Sequence, residues 1–271
     1  MRARSWALCL LLLLGLGLSG QAQSLHREWD RLLKRYVHPH GRIDYASFRA
    51  DTAAVRRYVE RLARTSLSRA SRQERMAYWI NLWNATTVYA LLKRLPRRSV
   101  LEGHGLLGLH IPGWRSFWRS IRLSRLGRTF PLWAIYDSLR ALSQEDPRWL
   151  FALYRPARGG PPLRAEAYRA ERIAEQLDDQ TRIFLARYNR IPDAETTIRL
   201  SRLFEWHAGL FARQAGSVQR WLAPYFEGSV ASRLAYNGYR IVYAPYDWTL
   251  DDRPEQEAVH EADRGRSRTR F

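Results

Sequence analysis

Asn81 and Asn84 lie three residues apart, a spacing that puts both on one face of a helix. Two carboxamides so placed can line a cleft and bind a polar group, or can bond to buried backbone in neighbouring loops. Buried amides are satisfied as a rule, so the second reading is preferred. Arg155 and Arg158 run into Gly159-Gly160. Two guanidinium groups beside glycine N–H groups would make an anion pocket. The plainer and preferred alternative is a pair of solvated charges in a loop. His38-Pro39-His40, with Asp44 close by, can chelate a metal if a third ligand arrives. It matches no strong zinc spacing and reads as a surface turn, so neither a metal site nor a cofactor is expected. His104, His110 and His207 are scattered, and no G-x-S-x-G elbow, H-E-x-x-H helix or P-loop occurs. No catalytic residue is assigned.

The elements that must position these side chains follow from pattern. Residues 25–37 form an amphipathic helix with Trp29, Leu32, Leu33 and Tyr36 on one side, and residues 46–63 form a second, after a turn at 41–45. Ser71 and Glu74 make a capping box ahead of an apolar run that Pro96 ends. That run, from Met76 to Leu92, is apolar nearly all round and predicts a buried central helix. Residues 103–113 are glycine-rich and irregular. Residues 120–125 and 128–131, around Leu126-Gly127, predict a hairpin, and residues 133–142 a short helix. Residues 149–154 read as a buried strand, and 155–162, with three prolines and two glycines, as a loop. A long helix over 169–188, a strand over 196–200, helices over 203–214 and 218–225, and a strand over 239–243 complete the chain. The fold class is α+β: one mainly helical domain over 23–250 with a small antiparallel sheet or hairpins.

Both ends read differently from the body. Arg2 and Arg4, an apolar run over 7–18 and small residues up to Ala22 make residues 1–22 a secretory signal peptide. The run is too short to span a bilayer, for which roughly 20 residues are needed. Cys9, the one cysteine, lies inside it, so the mature chain is expected to hold no thiol and no disulfide. A periplasmic or secreted location follows. Residues 251–271 are polar, carry Arg264, Arg266, Arg268 and Arg270, and read as a disordered basic tail. The net charge of +19 favours polyanions. The basic residues are nonetheless spread along the chain without a motif or stripe, so specific nucleic-acid binding is not expected. The aromatic load is high. Most tryptophans, by helical spacing, are core, while some can line a carbohydrate or peptide groove. Residues 114–125 mix Trp, Phe and Arg and would suit an anionic membrane surface or, more safely, a partly buried hairpin.

Several segments in order resemble the family known as domain of unknown function 547. They are Gly41-Arg42-Ile43-Asp44-Tyr45; Ala77 to Ala85, with its W-I-N-x-x-N-A core; Phe151-Ala152-Leu153 with Pro161-Pro162-Leu163; Leu200 to Trp206; and Pro245-Tyr246-Asp247-Trp248. The family pattern usually reads H-F-A-L-N-C-A-S-x-S-C-P-P-L where this chain has residues 150–163. Arg155 and Gly160 therefore stand at the two cysteine positions, and the His, Asn and Ser are replaced as well. A D-D-I-E-H segment corresponds to Leu132 to Tyr136, making Tyr136 a further candidate ligand-binding residue, and Leu210 replaces an acid. Thiol chemistry needs a thiolate, a base and an orienting carboxylate. Arginine, always protonated and donor-only, supplies none of these. The resemblance thus implies a divergent member that kept the scaffold and lost the chemistry of the intact motif.

Two functions remain open at this stage. One is a noncatalytic binding or scaffolding module for an envelope protein or an anionic envelope component. The other is a hydrolase-type enzyme with a relocated active site. A cleft beside Arg155–Gly160 holding a His or carboxylate within reach of a Ser, Thr or Tyr hydroxyl would weaken the first.

Overall fold

The computed structural model describes residues 25–38, 41–93, 99, 121–143, 146–193 and 195–251. Residues 1–22, read above as a signal peptide, the Pro39-His40 half of the H-P-H turn, the 103–113 segment with His104 and His110, the residues from Trp114 to Ser120 and the residues after Asp251 lie outside them.

The central element is helix α4, Arg72–Lys93, and its start is fixed by the capping box. Glu74 N donates to Ser71 Oγ (3.1 Å) while Ser71 N donates to Glu74 Oε2 (2.7 Å), so two N–H groups without intrahelical partners are satisfied reciprocally. Its buried residues run from Met76 to Leu92 on all sides, as a helix enclosed by other elements requires. Helix α1 spans residues 25–36. The second predicted helix divides into α2, Tyr45–Phe48, a 3-10 turn at Arg49–Asp51, and α3, Thr52–Arg64. Asp44 caps α2 by accepting from Ser47 N (3.0 Å). Helix α3 packs on α4, and Trp29 and Tyr58 stack between α1 and α3 with ring centres 5.7 Å apart.

Strands β1, Arg122–Arg125, and β2, Arg128–Pro131, form the antiparallel hairpin about Leu126-Gly127. Arg125 is fastened to the fold rather than turned to a surface: Nε donates to Tyr78 Oη (2.9 Å) and a terminal nitrogen to Thr65 O (2.9 Å). Helix α5, Ala134–Leu142, follows and packs on α4. The strand expected over 149–154 is instead one helical turn, α6, Trp149–Ala152, with an extended exit. Asp146 starts the turn by accepting from Arg148 N (3.0 Å), and Pro147 O accepts from Leu150 N (3.0 Å). A six-residue apolar run does not distinguish a buried strand from a buried helical turn; the Asp-Pro punctuation ahead of it decides.

Helix α7, Ile173–Tyr188, is preceded by a 3-10 turn at Ala170–Arg172. The helix expected over 203–214 is broken at His207 into α8, Arg202–Trp206, and α9, Ala208–Ala215. Gly216, at φ +83°, ends α9 in the left-handed conformation that glycine adopts without cost. Helices α10, Val218–Leu222, and α11, Gly228–Ala235, then lead to the last strand. That strand, β4, Arg240–Ala244, pairs in parallel with β3, Thr197–Ser201, in the register Ile198 to Ile241 and Leu200 to Tyr243. A parallel pair needs a long crossover, and α8 to α11 supply it. Among the described residues the fold is mainly helical α+β with two two-stranded sheets around one hydrophobic core. No helix among the described residues is long and apolar enough to cross a membrane.

Candidate functional site

The two asparagines are spent on the scaffold. Asn81 Nδ2 donates to Tyr168 O (2.8 Å) and Asn81 Oδ1 accepts from Tyr168 N (3.0 Å). Asn84 makes the same two-point contact with the exit from α6, donating to Ala152 O (3.0 Å) and accepting from Tyr154 N (2.9 Å). A carboxamide offers one donor face and one acceptor face, so each asparagine replaces a missing backbone neighbour in an irregular segment. Trp83 Nε1 adds a bond to Tyr154 O (3.0 Å). The effect is to hold the start of the 155–163 loop against the central helix.

That loop then zips onto the segment after β4. Arg158 N donates to Thr249 O (2.8 Å) and Gly159 N to Asp247 O (2.9 Å). Gly160 N donates within the loop to Ala157 O (2.8 Å). These N–H groups are therefore not available as an anion cradle, which corrects that part of the expectation from sequence. The glycines are there for close approach. A Cβ at 159 would lie 2.8 Å from Asp247 N, and one at 160 would lie 2.6 Å from Arg155 O and 2.7 Å from Tyr246 Oη. The position that corresponds to the family's second cysteine has no room for a side chain.

The expected pair of solvated arginines is also corrected. Arg155 is 1 % exposed and lies against Tyr246. Burial pushes the Tyr246 phenol up to about 12, with the Arg155 charge pulling the other way. Arg158 is half-buried and faces a cavity of about 290 Å³. Arg187 and Tyr188 from the end of α7, Ser201 and Arg202 at the β3–α8 junction, and Tyr246, Asp247 and Asp251 complete its charged and polar lining. Arg202 also bonds Glu205 through Nε (2.7 Å). Three arginines and two aspartates line the cavity, and Glu205, the partner of Arg202, stands outside that lining.

Asp251 was expected to begin the tail. It is instead 6 % exposed and packed into the domain, because two phenols receive it. Its Oδ1 accepts from Tyr154 Oη (3.0 Å) and Tyr45 Oη (3.3 Å), and the two hydroxyls bond each other. Burial raises its carboxyl to about 7, against the pull of the Tyr154 and Tyr45 bonds and of Arg187. The Tyr154 phenol is itself driven well above its ordinary range by burial and then by Asp251. A carboxylate thus meets a tyrosine hydroxyl at the cleft, the condition that weakens a purely noncatalytic reading. Both hydroxyls are buried, and the Tyr154 phenol, with its raised pKa, stays protonated at neutral pH and is a poor nucleophile.

Tyr136 belongs elsewhere and does not line this cavity. Its hydroxyl bonds His207 Nδ1 (2.9 Å), and its ring stacks on Trp133 (4.5 Å) and meets Trp149 edge-on (4.6 Å). The five candidates therefore do not make one site: Asn81 and Asn84 brace the loop, Arg155 lies beneath it, Arg158 faces the cavity, and Tyr136 pairs with the histidine that interrupts α8 and α9. Arg187, Arg202 and Asp251 escaped sequence reasoning. The Leu200 to Trp206 and Pro245-Tyr246-Asp247-Trp248 landmarks and the Arg155–Gly160 loop pointed to this corner. Among the described residues, no group of three or more His, Cys, Asp or Glu side chains is placed to hold a metal ion.

Residues 67–185 match the family described as protein of unknown function DUF547. No curated protein and no solved structure matches the chain.

Proposed function

We propose, starting from a chain that resembles a family with no assigned activity, that this protein is an exported, noncatalytic binding module for an anionic component of the cell envelope. The observation that carries the reading is the convergence of Arg158, Arg187 and Arg202 on one cavity at the altered loop. Guanidinium groups bind carboxylate and phosphate through charge-assisted, geometrically matched bonds. The lost cysteines, with arginine and glycine in their places, agree with binding without thiol chemistry. Export, to the periplasm or beyond, rests on the leader-like residues 1–22.

Calorimetric titration with inorganic phosphate and with small carboxylates tests it. Saturable binding at physiological salt is expected, weakened about tenfold by Arg158→Ala or Arg202→Ala. Binding that disappears with modest salt and ignores both substitutions would reduce the reading to generic charge attraction.

A hydrolase is the second reading, and one observation favours it: the Asp251 carboxyl, raised to about 7, stands at the cavity as a proton acceptor of suitable strength. Turnover of peptide, ester or glycan substrates that is abolished by Asp251→Asn would establish it in place of the first.

A further inference from the structure

Tyr246 is a shared wall. One side lines the arginine cavity, and its ring packs on Trp206 (5.0 Å) and Trp248 (4.5 Å). Those two indoles are roughly parallel, 29° apart with centres 6.1 Å from each other. Both are only half-buried, whereas Trp29, Trp83 and Trp149 are enclosed in the core. Asp247, between Tyr246 and Trp248, is exposed and lines the cavity too. An indole pair presents an apolar face, the neighbouring aspartate accepts hydroxyl bonds, and arginines set beside them take a carboxylate. The indoles adjoin the cavity through Tyr246 rather than lining it, and one ligand class long enough to reach from the arginines to them has all three complements: a sugar ring with an apolar face, hydroxyls around its edge and an acidic substituent.

We infer that the ligand of the cavity is an acidic saccharide, its carboxylate held by Arg158 and Arg187 and a sugar ring laid against Trp206 and Trp248. The inference rests on the anion-binding reading above and specifies its ligand. A bare phosphate would use the arginines and leave the indoles idle. A nucleic acid would call for a basic track longer than this single cavity.

The test is titration of the full chain, at physiological salt, with acidic saccharides bearing uronic, sialic or muramic acid, their neutral counterparts, and inorganic phosphate. At least one acidic saccharide is expected to bind, with its neutral counterpart and phosphate each at least about tenfold weaker. Trp248→Ala is expected to weaken saccharide binding about tenfold while leaving phosphate binding unchanged. Trp206→Phe, a milder change, supplies the same contrast if the alanine variant does not fold. Equal binding of phosphate and saccharides, indifferent to the tryptophans, overturns this inference and leaves anion binding standing. Absence of binding by every anion overturns both.

Discussion

The α4 face that carries Asn81 and Asn84 and the cavity that carries Asp251 both bury polar groups, and they do so on opposite terms. On α4 each buried amide is neutral and has its donor and acceptor matched to one backbone N–H and one C=O. The cavity region keeps ionisable groups where burial acts against their charge: a carboxyl raised to about 7, a phenol raised to about 12, and an arginine 1 % exposed. Neutral, paired groups cost little to bury and give rigidity; charged groups in such surroundings cost stability. Such groups beside an arginine-lined cavity support the binding site proposed above.

Titration should separate the two regions most strongly. Asp251 has a carboxyl raised from 3.8 to about 7, so the folded chain holds a proton that the unfolded chain has lost. Its contribution to stability is present below about pH 4 and is lost as the pH rises through 7, a swing on the order of 4 kcal/mol. Asp251→Asn should therefore match the parent at pH 4 and exceed it by that amount at pH 8 in urea unfolding. His26, on α1 and packed against Tyr58 of α3, behaves oppositely. Bonded to Tyr58 Oη (2.6 Å), it is lowered from 6.5 to about 4, by burial first and then by Arg169. Its contribution is present above about pH 6.5 and is lost as the pH falls through 4, and Asp251→Asn should leave that acid limb unchanged. An unaltered alkaline limb in the variant would erase the contrast between the regions.

Next in size is the scaffold itself. Asn84→Ala removes the partners of Ala152 O and Tyr154 N, both in a buried segment, and is expected to cost about 3 kcal/mol in urea unfolding. Because Asn84 acts on the loop that carries Arg158, anion affinity should fall in the same variant. A stable Asn84→Ala chain with full affinity would show that the loop is held from the cavity side instead.

Smallest is Gly160→Ala, which sets a methyl 2.6 Å from Arg155 O and 2.7 Å from Tyr246 Oη. Relief requires the loop or the Tyr246 ring to shift, at about 2 kcal/mol, read as a lower melting temperature. A melting temperature equal to the parent's would mean that the loop opens freely, and that room for a side chain at 160 exists after all.

Local chemistry made much of the architecture legible. The capping box at Ser71 and Glu74, the all-round apolar run of α4 and the Leu126-Gly127 turn each carry their structure within a few residues, and each is found in place. Periodicity is silent over the six apolar residues 149–154, so their helical turn is not legible in the sequence. The helix over 203–214 was misjudged because only the packing around Tyr136 and His207 accompanies the break.

The sequence by itself determined most of the elements, the resemblance, and the absence of a thiol from the loop, since these depend on residue type and near spacing. It also made Asn81 and Asn84 legible as scaffold, because a buried amide must find partners wherever the chain turns. Tertiary structure alone decided that Arg155 goes inside, that Gly159 and Gly160 yield space rather than bind an anion, and that Asp251 joins Tyr45 and Tyr154. Those outcomes depend on which of many arginines and aspartates the parallel β3–β4 crossover carries to one corner. Charge is additive along a chain, but burial of a charge is settled by contacts among residues roughly ninety to two hundred positions apart.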